Sequence, residues 1–254
     1  MNKELIYGKP RLKVGNPLHH CPGCHYGIIF RVICEVIEEL GIEGRTIVVG
    51  GGGCSGRWAT YFDLDSVGGL HGPGPAIAAG IKRVRPESII FVMQGDGEQG
   101  AIGLGYFMAS ALRAEKFTVI GLNNACYGTT GGQMAPTTLL GMKTATTPGG
   151  RDPSKEGFPF HAPEVVATMK GTAYAARVSV HTPDHRQRAK KALKTAFEKQ
   201  IAGVGFSIVE FLAVCPPNWH LSPLECLSFM DEKMIKEFPL GEFKNVDSID
   251  YTAR

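Results

Sequence analysis

Apolar and polar positions fall into blocks along this chain, and the period changes from block to block. Ile28, Ile29, Val32, Ile33, Val36, Ile37 and Leu40 recur at helical spacing; Glu35, Glu38 and Glu39 take the opposite face and Gly41 is the stop. Other blocks are short and almost uniformly apolar: residues 45–49, 88–93, 117–122, 176–180 and 205–212. Runs without alternation are what strands covered on both faces look like. A short strand over 61–66 is also expected. Between the runs lie helical stretches at 75–84, after Gly97, around 163–171, over 183–200 (basic and amphipathic) and at 230–238, beyond which the tail is expected to fray. Strands alternating with helices predict an α/β fold, a mostly parallel sheet with helices on both faces.

No second domain boundary, repeat or low-complexity run interrupts this pattern. The reading is one domain with an extended N-terminal arm (1–20), expected to pack on another subunit, and a C-terminal tail from about 222 to 254. Residues 124–163 form a long polar loop rich in Thr, Gly and Pro, and loops of that length inside compact domains are usually functional. A net charge of +3 is too small to point to nucleic acid. No apolar run reaches the roughly 20 residues of a membrane span. The N-terminus lacks the apolar core of a secretory signal, so a cytoplasmic location is expected.

The apolar run 88–93 leads into Gly95-Asp96-Gly97, and the run 117–122 leads into Asn123-Asn124. This is a βαβ unit with oxygen-bearing side chains at the carboxyl ends of both strands, where open α/β sheets bind ligands. A hard cation held by a carboxylate, an amide oxygen and a main-chain carbonyl suits such a place, bridging to a diphosphate. Asp96 taken alone reads equally well as a helix N-cap. The chain has 33 glycines, clustered at 50–56, 68–74, 95–105 and 128–132, where backbone must approach something closely. His71-Gly72-Pro73-Gly74 opens a helix as phosphate-cradling loops do. Gly131 to Gln133 and Pro136 to Thr138 read as a mobile, hydroxyl-rich cover.

Seven cysteines without an export signal do not read as a disulfide framework. Cys21 and Cys24 form a CxxC pair, and Cys54 and Cys215 follow strands in loops; Cys34, Cys126 and Cys226 stand apart. A pair plus two distant thiols is the ligand count of a [4Fe–4S] cluster. Structural zinc, a redox dithiol at Cys21/Cys24 and inert buried thiols stay open beside it.

The strings CPGC, GCSGR, LHGPGPAIAAGIK, GDGEQGAIG, NNACYGTTGGQMAPTT and CPPNW, in this order, resemble the β subunit of 2-oxoacid:ferredoxin oxidoreductases. The flavour is closest to the branched-chain (2-oxoisovalerate) and 2-oxoglutarate types. The resemblance implies a single thiamine diphosphate-binding (pyrophosphate-binding) domain. It implies Mg2+ held by Asp96, Asn124 and the main-chain carbonyl of Cys126. Gly95, Gly97, Tyr127, Gly128, His71, Gly72 and Ser55 would lie against the cofactor. Thr129 would face the substrate, and with His71 it is the catalytic expectation. Cys21, Cys24, Cys54 and Cys215 would ligate one [4Fe–4S] cluster. The implied reaction is CoA-dependent oxidative decarboxylation of a 2-oxoacid to acyl-CoA and CO2, with electrons passing through the cluster to ferredoxin. The implied partners are an α subunit that supplies the activating glutamate, together with γ and ferredoxin-like δ subunits. Pro73 departs from the family, which often has Arg there. A non-oxidative thiamine decarboxylase and a non-catalytic metal or cluster scaffold are the rival readings; the loop cysteines argue against the first, Asp96 with Asn124 against the second.

Overall fold

A computed structural model describes residues 8–14 and 19–252, the side chains of 58–60 apart. In chain order the elements are α1 (Tyr26–Leu40), β1 (Thr46–Gly50), β2 (Asp65–Gly68), α2 (Gly74–Val84), β3 (Ile89–Gly95), α3 (Leu104–Leu112) and β4 (Thr118–Asn123). There follow α4 (Pro153–Glu156), α5 (Ala162–Ala167), β5 (Thr172–Ser179), α6 (Pro183–Ile201), β6 (Phe206–Leu212), α7 (Pro216–Trp219), α8 (Pro223–Phe229), α9 (Ile235–Glu237) and β7 (Gly241–Asn245). The seven strands form one sheet in the order β2-β1-β3-β4-β6-β5-β7. All pairings are parallel except β5 with β7.

Uniformly apolar strands are buried on both faces here. Phe91 and Met93 of β3 pack with α1 and α6, while Ile90 and Val92 pack with α2, α3 and α5. Full burial of each such side chain contributes about 1.5–3 kcal/mol. Helix α1 begins just after the CxxC pair and ends at Gly41, whose φ of 61° is left-handed and lets its amide close the last turn. Helix α6 is stopped at its start by Thr182, which accepts a hydrogen bond from the His185 amide.

Two expectations, for the short strand and for the tail, are corrected. The short strand lies at 65–68 and not 61–66, because Phe62 instead pairs with Lys13 of the arm. The arm's described residues pack on this chain: Leu12 is buried and its amide donates to Glu38 at 2.8 Å. Residues 1–7 and 15–18 of that arm, and 253–254 of the tail, lie outside the described residues. The tail does not fray after its helix. It returns as β7, adding an antiparallel edge to β5, with Tyr174 donating to Glu242 at 2.7 Å.

Candidate functional site

Strands β3 and β4 are neighbours in register, Gly95 opposite Leu122. Asp96 and the Asn123-Asn124 pair therefore emerge side by side at the carboxyl edge of the sheet. Asp96 is buried at 4% exposure. Its Oδ1 accepts the Gly97 amide at 3.0 Å and its Oδ2 accepts the Thr137 hydroxyl. Asp96 caps no helix: the turn after it, from Glu98 to Ile102, has no side-chain cap. Burial pushes the Asp96 carboxyl up to about 7, against the hydrogen bonds from Thr137 and Gly97 and with the help of nearby Glu210. A buried carboxylate without a cation from the described chain suits a metal supplied from outside it.

The β4 turn is equally built. Asn123 is buried, its Oδ1 accepting the Ala125 amide at 3.1 Å, and Ala125 sits at φ 59°. A non-glycine residue in that region costs about 1 kcal/mol. Asn124 Oδ1 accepts the Cys126 amide at 3.3 Å, and Trp219 Nε1 donates to the Asn124 carbonyl at 2.9 Å. Tyr127 packs against Gly97 and donates to its carbonyl at 3.2 Å; a Cβ on Gly97 would stand 2.1 Å from the ring. The glycine loops close the other side. A Cβ on Gly51 would strike the Glu98 carboxylate at 2.1 Å, and one on Gly52 the His71 ring at 2.5 Å. The result is a cavity of about 320 Å3 whose lining includes Gly52, His71, Asp96, Asn124, Cys126 and Thr129.

A second cavity, about 210 Å3, adjoins it and brings Cys21, Cys24, Cys54 and Cys215 together. Tyr26, Cys54, Asn124, Gly128 and Thr129 line both cavities. The Gly128 backbone lies close to two of the thiols: a Cβ there would be 3.4 Å from Cys54 Sγ and 3.6 Å from Cys215 Sγ. Cys54 Sγ is 2.9 Å from Thr129 Oγ1, and Asn218 Nδ2 donates to Cys215 Sγ at 3.2 Å. Burial pushes the Cys24 thiol up to about 12 and raises Cys54. Cys215 is lowered, first by the Cys126 thiol hydrogen-bonded to it, then by Asn218. Among the described residues, no three His, Cys, Asp or Glu side chains close on a single point. Cys34 and Cys226 are buried elsewhere, in α1 and α8.

The structure thus brings to one edge Asp96, Asn124, Cys126, Tyr127, Gly128, Thr129, His71 and Ser55, together with the four loop cysteines. Gly95 and Gly97 line the same cavity. Gly72, at φ 100°, gives its amide to Glu98 at 2.9 Å. Ser55 turns its hydroxyl inward to the Gly52 carbonyl at 2.7 Å. The expected hydroxyl-rich cover is corrected: Thr137 and Thr138 are buried beneath the site, bonded to Asp96 and to the Ala125 carbonyl. Arg151 holds that segment, its guanidinium donating to the carbonyls of Pro136, Thr138, Glu156, Gly157 and Phe158. Sequence reasoning missed Glu98, Tyr26, Asn218 and Arg151. Glu98 carried a signal, since it directly follows the Gly-Asp-Gly; it ties the loops by accepting from Gly72 and, at 3.4 Å, from Gly52.

Residues 51–211 match the thiamine pyrophosphate enzyme C-terminal TPP-binding domain. The chain is 40% identical over 230 residues to the ketoisovalerate oxidoreductase subunit VorA of Methanothermobacter marburgensis, covering 91% of this chain but 48% of that one. It is 35% identical over 216 residues to the 2-oxoglutarate synthase subunit KorB of Archaeoglobus fulgidus, covering 85% of this chain and 76% of that one. The chain therefore spans about half the length of the ketoisovalerate relative and most of the shorter one. A solved 2-oxoglutarate:ferredoxin oxidoreductase from Magnetococcus marinus shares the fold, with a TM-score of 0.77 and 24% identity over 99% of this chain and 88% of that one.

Proposed function

The chain belongs to the β subunits of the thiamine diphosphate-binding 2-oxoacid:ferredoxin oxidoreductases, and from that premise we propose that it carries the cofactor half of a CoA-dependent 2-oxoacid oxidoreductase. The observation that carries the reading is the shared wall. The cavity with the buried carboxylate and the cavity with four thiols are lined in common by Tyr26, Cys54, Asn124, Gly128 and Thr129. A redox centre in the second is then separated from chemistry in the first by single side chains.

Asp96, Asn124 and the Cys126 carbonyl would hold Mg2+, since they offer the oxygen ligands that a hard cation prefers. Gly52, Gly72 and Gly97 let His71, Ile102 and Tyr127 close directly on the backbone, and Gly53 and Gly95 line the cavity that the cofactor would enter. Thiamine diphosphate, when bound, supplies the electron sink for cleavage beside the keto carbon. His71 and Thr129 stand at the mouth and the wall of that cavity. Cys21, Cys24, Cys54 and Cys215, which line one cavity, would hold a [4Fe–4S] cluster, for which four thiolates are the ligand count. A cluster bound there would supply an electron exit toward ferredoxin. Glu98 accepts the Gly72 and Gly52 amides through Oε1; the family resemblance puts the activating acid on an α subunit, so the site is complete only in a heteromer. The 40% identity to the ketoisovalerate oxidoreductase subunit, against 35% to the 2-oxoglutarate synthase subunit, favours a branched aliphatic 2-oxoacid. Among the described residues no helix is long and apolar enough to cross a membrane. We place the enzyme in the cytoplasm.

The test is reduction of a viologen by 2-oxoisovalerate and CoA, with this chain alone and with its co-expressed partner subunits. Turnover needing the partner, and about four iron and four sulfide per chain lost in Cys54→Ser, is expected. Robust turnover by the single chain, or one zinc in a colourless anaerobic preparation, overturns the reading.

A further inference from the structure

Behind the site edge, inside the sheet, lies a set of charges that the proposed reaction does not use. Arg177 on β5 and Glu210 on β6 stand opposite each other in register, both buried. Arg177 Nε donates to Glu210 Oε2 at 2.5 Å. Its Nη1 and Nη2 fork onto Glu164, each at 2.6 Å, and Nη1 also reaches the Pro239 carbonyl at 3.1 Å. One cation between two carboxylates leaves a formal charge of about −1 behind the site. The second oxygen of Glu210 is directed at the edge: Oε1 accepts from Asn123 Nδ2 at 3.3 Å. Asn123 in turn fixes the Ala125 amide, and with it the left-handed turn that presents Asn124 and Cys126.

A hydrogen-bonded line therefore runs from Arg177 through Glu210 and Asn123 to the turn. A buried ion pair is by itself weak support for stability, since well-packed apolar residues often do as well. Outer groups that orient ligands and add charge, in contrast, commonly change metal affinity by 10–100-fold. We propose that Glu210, backed by Arg177, is a positioning residue for the cation site: it locks the Asn123 amide and so the Ala125 turn, and its charge reinforces Asp96. This rests on the cation reading given above.

The test is Mn2+ binding to the full chain, assembled with its partner subunits, with and without thiamine diphosphate, followed by the EPR signal of free Mn2+. Glu210→Gln keeps an acceptor for Asn123 but removes the charge; Asn123→Ser keeps the charge but releases the turn. Each is expected to weaken cofactor-dependent Mn2+ binding about tenfold, and the double variant by less than the product, because both act on one turn. Thermal unfolding is followed in parallel. Variants that lose stability yet bind Mn2+ like the wild type overturn the inference and leave the cofactor reading standing. A wild-type assembly with no thiamine diphosphate-dependent Mn2+ binding overturns both.

Discussion

Two carboxyl groups in this protein, one buried and one half-buried, are treated in opposite ways. Asp96, at the end of β3, is pushed up to about 7 by burial, which its neighbours only partly offset. Glu164, at the start of α5, is also pushed up by burial, but hydrogen bonds from His161 and Arg177 outweigh that and carry it down to about 2. The second acid is satisfied from within the chain and belongs to the architecture that ties α5, β5, β6 and the tail. The first accepts two hydrogen bonds but has no counter-charge among the described residues. That buried acid is the one the proposed cation would complete.

The contrast breaks first, and most, at Arg177. Arg177→Met leaves Glu210 buried and uncompensated, and is expected to cost about 3–5 kcal/mol in urea unfolding. Replacing Arg177 and Glu210 together with apolar residues should recover most of that loss, which a purely local packing defect would not allow. Asp96→Asn should do the reverse. Cofactor-dependent Mg2+ binding is expected to fall by about 100-fold, some 2.8 kcal/mol by calorimetry, while the chain without cofactor unfolds at the same temperature or higher. A large loss of stability in Asp96→Asn would erase the distinction between the two acids.

The edge was legible in the sequence because its signals are local. An apolar run ending in Gly-Asp-Gly, another ending in Asn-Asn, and a CxxC pair each announce a strand end or loop without reference to the rest of the chain. That Cys21, Cys24, Cys54 and Cys215 meet at one cavity was also within reach, since parallel strands deliver their loops to one side. The interior charges were not. Arg177 and Glu210 each look like an interruption of an apolar strand, and only the β5–β6 register makes them a pair. Strand β7 has mostly exposed positions and no apolar run; the open edge of β5 defines it. Thr137 and Thr138 read as surface hydroxyls because nothing in their own segment shows that Arg151 takes up the carbonyls around them and lets the loop be buried.

A smaller effect, with a pH signature, tests Glu164. Its folded value lies below the ordinary carboxylate range, so its stabilisation is present above about pH 4.5 and is lost as pH falls toward 2. His161 is raised, chiefly by its bond to Glu164, so its share is full below about pH 6.5 and is lost as pH climbs through the folded value. Glu164→Gln should therefore cost roughly 2 kcal/mol between about pH 4.5 and 6.5, discounted for its partial exposure. The gap from wild type should close on acidification and narrow above neutrality. A gap independent of pH would mean that packing, and not charge, holds α5 to the sheet.

The smallest expected effect falls on the residue that joins the two regions. Thr137 is fully interior, held between carbonyls that Arg151 binds, yet its hydroxyl donates to the Asp96 carboxylate. Thr137→Val keeps the shape and removes one donor, which should cost about 1 kcal/mol of stability in urea unfolding. If Asp96 is oriented by the interior, cofactor-dependent Mg2+ affinity measured by calorimetry should also fall, by about threefold to tenfold, because the carboxylate loses the bond that fixes its rotation. If the edge is self-sufficient, stability alone will change. The two outcomes differ in whether the ligand site ends at the residues that touch the cation or begins one layer deeper, in the loop that Arg151 holds shut.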